Sequence, residues 1–199
     1  MQIFKDILGQ KDIDTLHLLC GNGESDLPWY YYESIAIGPD VTTYPHHPNV
    51  VTSSGFCHVF CWTQEGHCLQ SNSVHWDVLE PMVKVICEET GYDFKTLYRC
   101  KMNLTTPQPS CPEGSFCIPH VDYERDHLVA LLYVNNADGN TIVFEEQYKD
   151  GVRPEEVNIK KEITPLENSV LTFDGSFYHT AGIPVNSRER ITLNMDFMV

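Results

Sequence analysis

The chain has few basic residues for its length. Its 199 residues include 13 Lys and Arg against 28 Asp and Glu, so the formal net charge is -15. Proteins that bind phosphate backbones use clustered cations to displace counterions, and this acidic total therefore disfavours nucleic acid as a partner. A local basic groove is the alternative, because Arg99, Lys101 and Arg125 lie near the candidate site in sequence.

Long apolar runs are missing as well. No stretch approaches the roughly 20 apolar residues that span a bilayer, and residues 1–8 lack the apolar core of a signal peptide. We therefore expect no membrane partner and a cytoplasmic location. In that compartment the eight Cys are expected to stay reduced, so they predict no disulfide framework.

Linkers of low complexity are also absent. Apolar residues make up 42% of the chain and aromatic residues 11%, which is typical of a folded protein and argues against disorder. A chain of this length can bury one substantial core. We expect a single domain over residues 1–199, in which helices and strands of residues 1–95 support a core formed by residues 96–199.

The cysteines lack the spacing of a zinc knuckle. Cys57, Cys61 and Cys68 include no Cys-x2-Cys pair, the spacing that structural zinc sites commonly use. Residues 56–62 alternate with period two, which places four ring side chains on one face of a predicted strand: Phe56, His58, Phe60 and Trp62. Because buried free cysteine packs as a small hydrophobe, we favour packing over structural zinc for this group.

A pair of adjacent histidines lies in a loop bounded by prolines, over residues 41–48. His46 and His47 there are candidates for a second metal site or for a substrate lid. No Cys or carboxylate stands beside them at ligand spacing. We therefore favour the interpretation that both are solvated loop side chains.

A His-x-Asp pair occurs twice in the chain. Nine His and thirteen Asp in 199 residues predict roughly 0.6 such pairs by chance, so the spacing alone is weak evidence. His75 and Asp77 fall in the amphipathic stretch 73–90, which reads as a helix, where residues i and i+2 point about 200° apart. His120 and Asp122 instead have the spacing that places both side chains on one face of a strand.

β-rich runs come after the second pair. Residues 128–144 contain two of them, joined through Asp138 and Gly139, and predict a β-hairpin. Residues 168–175 predict a further strand that ends in a turn and leads to His179. The short turns with Gly leave no room for crossover helices, so the sequence favours an antiparallel jelly roll over a parallel sheet.

The last run, residues 190–197, alternates apolar and polar side chains. One face of the predicted strand carries Arg190, Thr192 and Asn194, and the other carries Ile191, Leu193, Met195 and Phe197. Two histidines and one carboxylate, His120, Asp122 and His179, would then form a facial triad. Such a triad leaves positions open on an octahedral ion and suits non-haem Fe(II), whereas a structural zinc site is closed.

The order of these motifs resembles that of the iron(II)/2-oxoglutarate-dependent oxygenases. Along residues 96–199 the order is His-x-Asp, Tyr-Val-Asn-Asn-x-Asp-Gly-x-Thr, Asp-Gly-x-x-x-His and Arg-x-Thr. The chain is most similar to compact prolyl-4-hydroxylase-like forms, including those of marine bacteria and their phages. The resemblance implies an all-β core with flanking helices: a double-stranded β-helix, or cupin-like jelly roll, supported by N-terminal helices.

The resemblance also implies the cofactors and the residues that hold them. Fe(II) would bind His120, Asp122 and His179, with 2-oxoglutarate as co-substrate and O2 as oxidant. Arg190 would hold the far carboxylate of 2-oxoglutarate as a bidentate fork. Further candidate contacts to the co-substrate are Thr192, Tyr133 and Asn103. Arg188 shares the parity of Arg190, but Arg190 has Thr192 two places on, so we choose Arg190.

The activity that the resemblance implies is hydroxylation of an unactivated C–H bond, with release of succinate and CO2. The favoured substrate is a prolyl residue or another amino acid or peptide, which rests on fold analogy alone. The alternatives are an oxygenase that acts on a nucleobase or a small metabolite, a metal-binding jelly roll without turnover, and a hydrolase that uses another metal.

Overall fold

The computed structural model describes residues 1–21, 27–34, 45–63, 69–149 and 151–199. Within these ranges the chain forms two α-helices, α1 (Gln10–Cys20) and α2 (Trp76–Thr90), and a 3-10 turn (Phe94–Thr96). Gly91 ends α2 with φ 77°, a left-handed conformation that glycine adopts without a steric penalty. The helix predicted over residues 73–90 is thus present, with its start at Trp76. No helix of the described part is long and apolar enough to cross a membrane.

Strands dominate the rest of the described chain. They are β1 (Gln2–Lys5), β2 (Tyr30–Tyr32), β3 (Gly55–Thr63), β4 (Leu69–Ser71), β5 (Leu97–Thr105), β6 (His127–Tyr133), β7 (Thr141–Gln147), β8 (Ile159–Ile163), β9 (Ser169–Asp174), β10 (Phe177–Ala181) and β11 (Arg190–Met198). No helix separates consecutive strands of the described chain from β5 to β11. The predicted all-β core is therefore confirmed.

The strands form two antiparallel sheets. The major sheet has the order β1-β9-β6-β11-β5-β3-β2, with β4 paired to β3, and the minor sheet has the order β10-β7-β8. Strands of the first 95 residues continue the major sheet at both edges, since β1 pairs with β9 and β3 pairs with β5. The N-terminal segment thus supports the core with strands as well as with helices.

The hairpin predicted over residues 128–144 is wrong. β6 pairs with β9 and β11 in the major sheet, whereas β7 pairs with β10 and β8 in the minor sheet. The connection crosses between the sheets and is held by side chains: the Asn135 amide donates to Glu189 O at 2.9 Å, and Asp138 accepts from the backbone N–H groups of residues 185–187. Turn residues mark the ends of strands, but they do not determine which strands pair.

The hydrophobic core lies between the major sheet and the two helices. Fully buried members include Leu16 of α1, Leu79 and Ile86 of α2, and Leu132 of β6. The predicted alternation of β11 is confirmed, because one face packs into this core with Ile191, Leu193, Met195 and Phe197. The opposite face of β11 is turned toward the minor sheet, and a cavity lies there.

The alternation predicted for residues 56–62 is interrupted. A bulge between Val59 and Cys61 shifts the pairing of β3 with β5, so that Phe60 and Cys61 are both buried and Trp62 is 42% exposed. The bulge places one more residue on β3 than on β5 and thereby reverses the direction in which the subsequent side chains of β3 point. Cys61 lies opposite Cys100 of β5 in the core. Cys68 lies outside the described residues.

The loop histidines have structural neighbours. His46 pairs with Glu156 through the backbone, and the His47 ring lies 4.9 Å from the ring of Phe116. Residues 41–44 of this loop are outside the described part. Among the residues that the structure describes, no group with the geometry of a metal site contains His46, His47, Cys57 or Cys61.

Candidate metal centre and co-substrate cavity

The two candidate histidine ligands face each other across the backbone. His120 N donates to His179 O at 3.0 Å, and His179 N donates to His120 O at 2.9 Å. This isolated bridge replaces the regular strand predicted for residues 119–122, while His179 lies within β10. The bridge brings the two imidazole rings to 4.8 Å between centroids.

The three predicted ligands converge on one point. Nε2 of His179 lies 3.2 Å from Oδ2 of Asp122, and the ligand atoms of His120, Asp122 and His179 all lie within 4.8 Å of one another. Nδ1 of His120 is 3.0 Å from Ile118 O, and Nδ1 of His179 is 3.1 Å from Phe177 O. Because a carbonyl only accepts, each Nδ1 donates its N–H there, and each Nε2 is left with a lone pair for a metal.

The charges of the triad suit metal binding at neutral pH. Burial, together with the nearby His179, lowers the pKa of His120 to about 4, so this imidazole is neutral and able to bind an ion. Burial acts to raise the pKa of Asp122, but the Arg99 guanidinium outweighs it and holds that pKa well below its ordinary value. The site thus combines a carboxylate with imidazole nitrogens, the donor set of non-haem Fe(II) sites.

Arg99 connects the triad to a second buried carboxylate. Its Nη2 donates to Oδ1 of Asp122, and its Nε donates to Oδ2 of Asp196 at 2.8 Å. Both aspartate side chains are at most 2% exposed. The amide of Asn194 donates to the other oxygen of Asp122, Oδ2, at 3.3 Å. Hydrogen bonds therefore fix the orientation of the Asp122 carboxylate from two sides, as partners of metal ligands commonly do.

The positioning role of Arg99 is not predicted from the sequence. In the sequence, Arg99 and Lys101 are notable only as members of a local basic groove near the candidate site, and neither is predicted to contact a metal ligand. The sequence feature that could have indicated this role is the alternation of polar residues along two strands. Three polar residues of β5 lie opposite three polar residues of β11: Arg99, Lys101 and Asn103 opposite Asp196, Asn194 and Thr192. Residues directly opposite on paired strands share a face of the sheet, so the pairing of β5 with β11 extends the site across both strands.

A cavity between the two sheets adjoins the triad. His120 and His179 line one end of it, and Val129, Leu131 and Phe173 supply apolar wall. Two cationic side chains, Lys101 and Arg190, also line it, and among the described residues its lining contains no carboxylate. A cavity of this kind suits a ligand that is apolar along its length and anionic at its ends.

Arg190 lies in this cavity and is 3% exposed. Its Nε donates to Gly139 O at 2.7 Å, and its Nη2 donates to Thr141 Oγ1 at 2.8 Å. Burial lowers the pKa of Arg190, and no carboxylate of the described residues lies within ion-pair distance of it. Arg190 is therefore a buried cation that lacks a counter-charge among these residues.

The remaining candidate residues cluster near Arg190, with one exception. Thr192 and Asn103 are opposite each other on β11 and β5, and both line the cavity. Tyr133 is fully buried beside it and donates to Thr141 Oγ1 at 2.8 Å. The side chain of Arg188 is 89% exposed and lies 3.7 Å from Glu189. The structure therefore brings Arg190 into the cavity and leaves Arg188 on the surface.

Gly139 supports Arg190 through a close backbone approach. A Cβ at position 139 would lie 2.5 Å from Gly182 O and 3.2 Å from Cδ of Arg190. We expect Gly139→Ala to lower the free energy of unfolding by about 1–3 kcal/mol, the usual cost of overpacking, and to displace the carbonyl that Arg190 contacts. Urea unfolding measures this loss.

Gly9→Ala is the matched control for that substitution. A Cβ at position 9 meets only Oδ2 of Asp12, at 3.8 Å, so the same chemical change should alter the free energy of unfolding by less than about 1 kcal/mol. If both variants unfold at the same urea concentration as the unsubstituted protein, the close approach at Gly139 does not constrain the fold.

Comparisons with known proteins bear on the fold. No protein-family model matches the sequence, and no curated protein matches it. Among solved structures, a 2OG-Fe(II) oxygenase family oxidoreductase from Burkholderia pseudomallei is similar, with a TM-score of 0.65 and 13% identity over 98% of this chain and 84% of that chain.

Two prolyl hydroxylases have similar structures. One, from Trichoplax adhaerens and in complex with a hypoxia inducible factor peptide fragment, gives a TM-score of 0.60 at 11% identity over 99% of this chain and 82% of that chain. A prolyl-4-hydroxylase from Pseudomonas putida gives 0.53 at 18% identity over 100% and 92%. The chain therefore has the jelly-roll fold of the 2OG-Fe(II) oxygenases, as the order of its motifs predicts.

Proposed function

We propose that this protein is an Fe(II)- and 2-oxoglutarate-dependent dioxygenase that hydroxylates an unactivated C–H bond. The observation that carries the proposal is the pairing of two sites in one cavity. A His-Asp-His triad lies at one end, and a buried arginine without a counter-charge among the described residues lies toward the other. The triad would hold Fe(II) and the arginine would hold a carboxylate of the co-substrate, so a dicarboxylate bound in this cavity would account for both sites.

Different residues of the protein would bind the metal and the co-substrate. His120, Asp122 and His179 hold Fe(II), which when bound supplies the activation of O2 and the decarboxylation of the oxo acid. Arg190 holds the far carboxylate through its guanidinium, whose Nε and Nη2 are already oriented by Gly139 and Thr141. Asn194, which contacts the proposed metal ligand Asp122, lies four positions along β11 from Arg190, or about 13 Å of backbone.

A further hydroxyl fits the same carboxylate. Oγ1 of Thr105 is buried and has no hydrogen-bond partner among the described residues, and Thr105 lies directly opposite Arg190 on β5. An unpaired buried hydroxyl costs about 1–3 kcal/mol, and an anion bound at Arg190 would accept its hydrogen. Thr192 and Asn103 form the next cross-strand pair on the same face of β11 and β5. The end of the cavity near Arg190 therefore offers several hydrogen-bond donors to one carboxylate.

The substrate that we favour is an amino acid or a peptide that contains one. The support is a fold analogy, because similar folds belong to prolyl hydroxylases, one of them seen with a peptide fragment. A nucleic acid substrate is disfavoured by the net charge of -15. The apolar wall that Val129, Leu131 and Phe173 form excludes water from the space where the oxidant would form.

The experiment that tests the activity is a turnover assay with iron and oxygen varied separately. We expect the protein to convert 2-oxoglutarate to succinate only when Fe(II) and O2 are both present. A binding protein without turnover would retain iron and 2-oxoglutarate but form no succinate, and a hydrolase would act equally well without oxygen. Either result contradicts the proposed function.

A further inference from the structure

The cavity has the opposite charge to the protein as a whole. The chain carries a formal charge of -15, yet the charged residues among the described lining of the cavity are Lys101 and Arg190, apart from the histidine ligands. The far carboxylate of the co-substrate accounts for Arg190. Lys101 belongs to the metal end and is not used by the proposed binding of iron and 2-oxoglutarate.

Lys101 is a buried cation whose ammonium group has no carboxylate within hydrogen-bond distance among the described residues. Its side chain is 14% exposed, and its Nζ lies 3.9 Å from Oδ1 of Asp122, beyond hydrogen-bond distance. That oxygen already accepts from Arg99. The ammonium group of Lys101 therefore has donors available for an anion inside the cavity.

Asn194 lies directly opposite Lys101 on the neighbouring strand β11. Its Nδ2 donates to Oδ2 of Asp122 at 3.3 Å. Because a carboxylate only accepts, the amide must turn its carbonyl oxygen away from Asp122. This oxygen, Oδ1, is buried and has no hydrogen-bond partner among the described residues, although Asn194 lines the cavity and is 5% exposed. This oxygen would accept a hydrogen bond from an N–H or O–H group of a bound ligand.

Lys101 is less closely paired than Arg99, the other buried cation next to Asp122. Arg99 donates directly to Asp122 and to Asp196. The ammonium group of Lys101 lies within ion-pair distance of Oδ1 of Asp122 but beyond hydrogen-bond distance, at 3.9 Å. A buried cation is stabilised by a hydrogen-bonded anion, and a carboxylate bound in the cavity would provide one.

We propose that Lys101 and Asn194 recognise the substrate, and that the substrate is a free amino acid rather than an internal residue of a peptide. The substrate carboxylate would accept from Nζ of Lys101, and its amino or imino N–H would donate to Oδ1 of Asn194. An internal peptide residue has no carboxylate in this position. The inference rests on the proposed function, since it concerns the substrate of that same site.

A comparison of acids with amides tests the proposal on the unsubstituted protein. The probes are the free proteinogenic amino acids, each with its α-carboxamide, titrated by calorimetry without oxygen into the protein loaded with Fe(II) and 2-oxoglutarate. We expect at least one free acid to bind about tenfold or more tightly than its amide, which is the effect of one charge-assisted contact. The same acid should stimulate succinate formation when oxygen is admitted.

Equal binding of acid and amide, or binding of a blocked proline peptide with no binding by any free amino acid, overturns the inference. These outcomes are separable from failure of the proposed function. If succinate forms without stimulation by any free amino acid, the protein is an oxygenase but its substrate is of another class. If no succinate forms under any condition, the proposed function fails.

Lys101→Met tests the residue assigned to the carboxylate. The substitution keeps the length of the side chain and removes its charge, so binding of the free acid should weaken about tenfold or more while binding of the amide stays within about threefold. Lys161→Met is the matched control, because Lys161 is exposed on β8, and it should change neither value. A loss of 2-oxoglutarate binding in Lys101→Met, with binding of the free acid retained, would assign Lys101 to the co-substrate instead.

Discussion

Replacing His179 by alanine should abolish succinate formation and leave the fold intact. His179 is 7% exposed, and its Nε2 faces both Asp122 and the ring of His120. Alanine leaves two ligands, which cannot hold iron facially. The fold should survive, because β10 is held to β7 by backbone pairing that alanine also makes, and because the lost ring lies at the cavity rather than in the main core.

Two measurements separate the loss of metal from unfolding. Iron retained after anaerobic dialysis should fall to the background level in His179→Ala, while urea unfolding should remain cooperative. His46→Ala is the control, since this loop histidine is exposed and belongs to no candidate metal group of the described residues. It should retain full turnover. Unchanged succinate formation by His179→Ala would contradict the assignment of the triad.

The sequence predicted the members of the triad from two local features and from the order of the downstream motifs, although the bridge that joins His120 to His179 connects residues distant in the chain. His120 and Asp122 are two residues apart, and the turn at Gly175 leads directly to His179. The alternation of residues 190–197 likewise identified the face that carries Arg190 and Thr192, since strand geometry fixes parity. In each case the chain neighbours of a residue determine where its side chain points.

The hydrogen bonds from Arg99 to Asp122 and Asp196 depend on how distant segments of the chain pack together, which local sequence patterns do not reveal. Arg99 contacts Asp122 and Asp196, residues 23 and 97 positions away in the chain. The contact with Asp196 exists because Arg99 and Asp196 lie opposite each other on β5 and β11, whereas Asp122 lies in the connection between β5 and β6. The wrong hairpin at residues 128–144 has the same origin: two strands that are adjacent in sequence belong to different sheets. Periodicity identifies strands and their faces, whereas their order depends on the packing of the whole chain.

Replacement of Arg190 should weaken 2-oxoglutarate binding far more than replacement of Arg188. The two arginines have the same chemistry but different positions. Arg190 is buried with its guanidinium in the cavity, and Arg188 is 89% exposed. A charge-assisted contact to a carboxylate is worth about 1.5–3 kcal/mol, which corresponds to about ten- to a hundredfold in affinity. We therefore expect Arg190→Ala to raise the 2-oxoglutarate concentration required for half-maximal turnover at least tenfold, and Arg188→Ala to raise it less than threefold.

Removal of Arg190 also has a structural cost that must be separated from its effect on binding. Gly139 O loses the donor that Arg190 supplies, and an unpaired buried acceptor lowers stability. Thr141 Oγ1 loses one of its two donors and keeps the hydrogen bond from Tyr133. Arg190→Lys keeps the charge but loses the planar fork, so its requirement for 2-oxoglutarate should fall between those of the unsubstituted protein and Arg190→Ala. Calorimetric titration of 2-oxoglutarate without oxygen, alongside urea unfolding of each variant, resolves the two contributions. If Arg188→Ala weakens 2-oxoglutarate binding more than Arg190→Ala does, the carboxylate is held at the surface turn, and the buried arginine serves to join the two sheets.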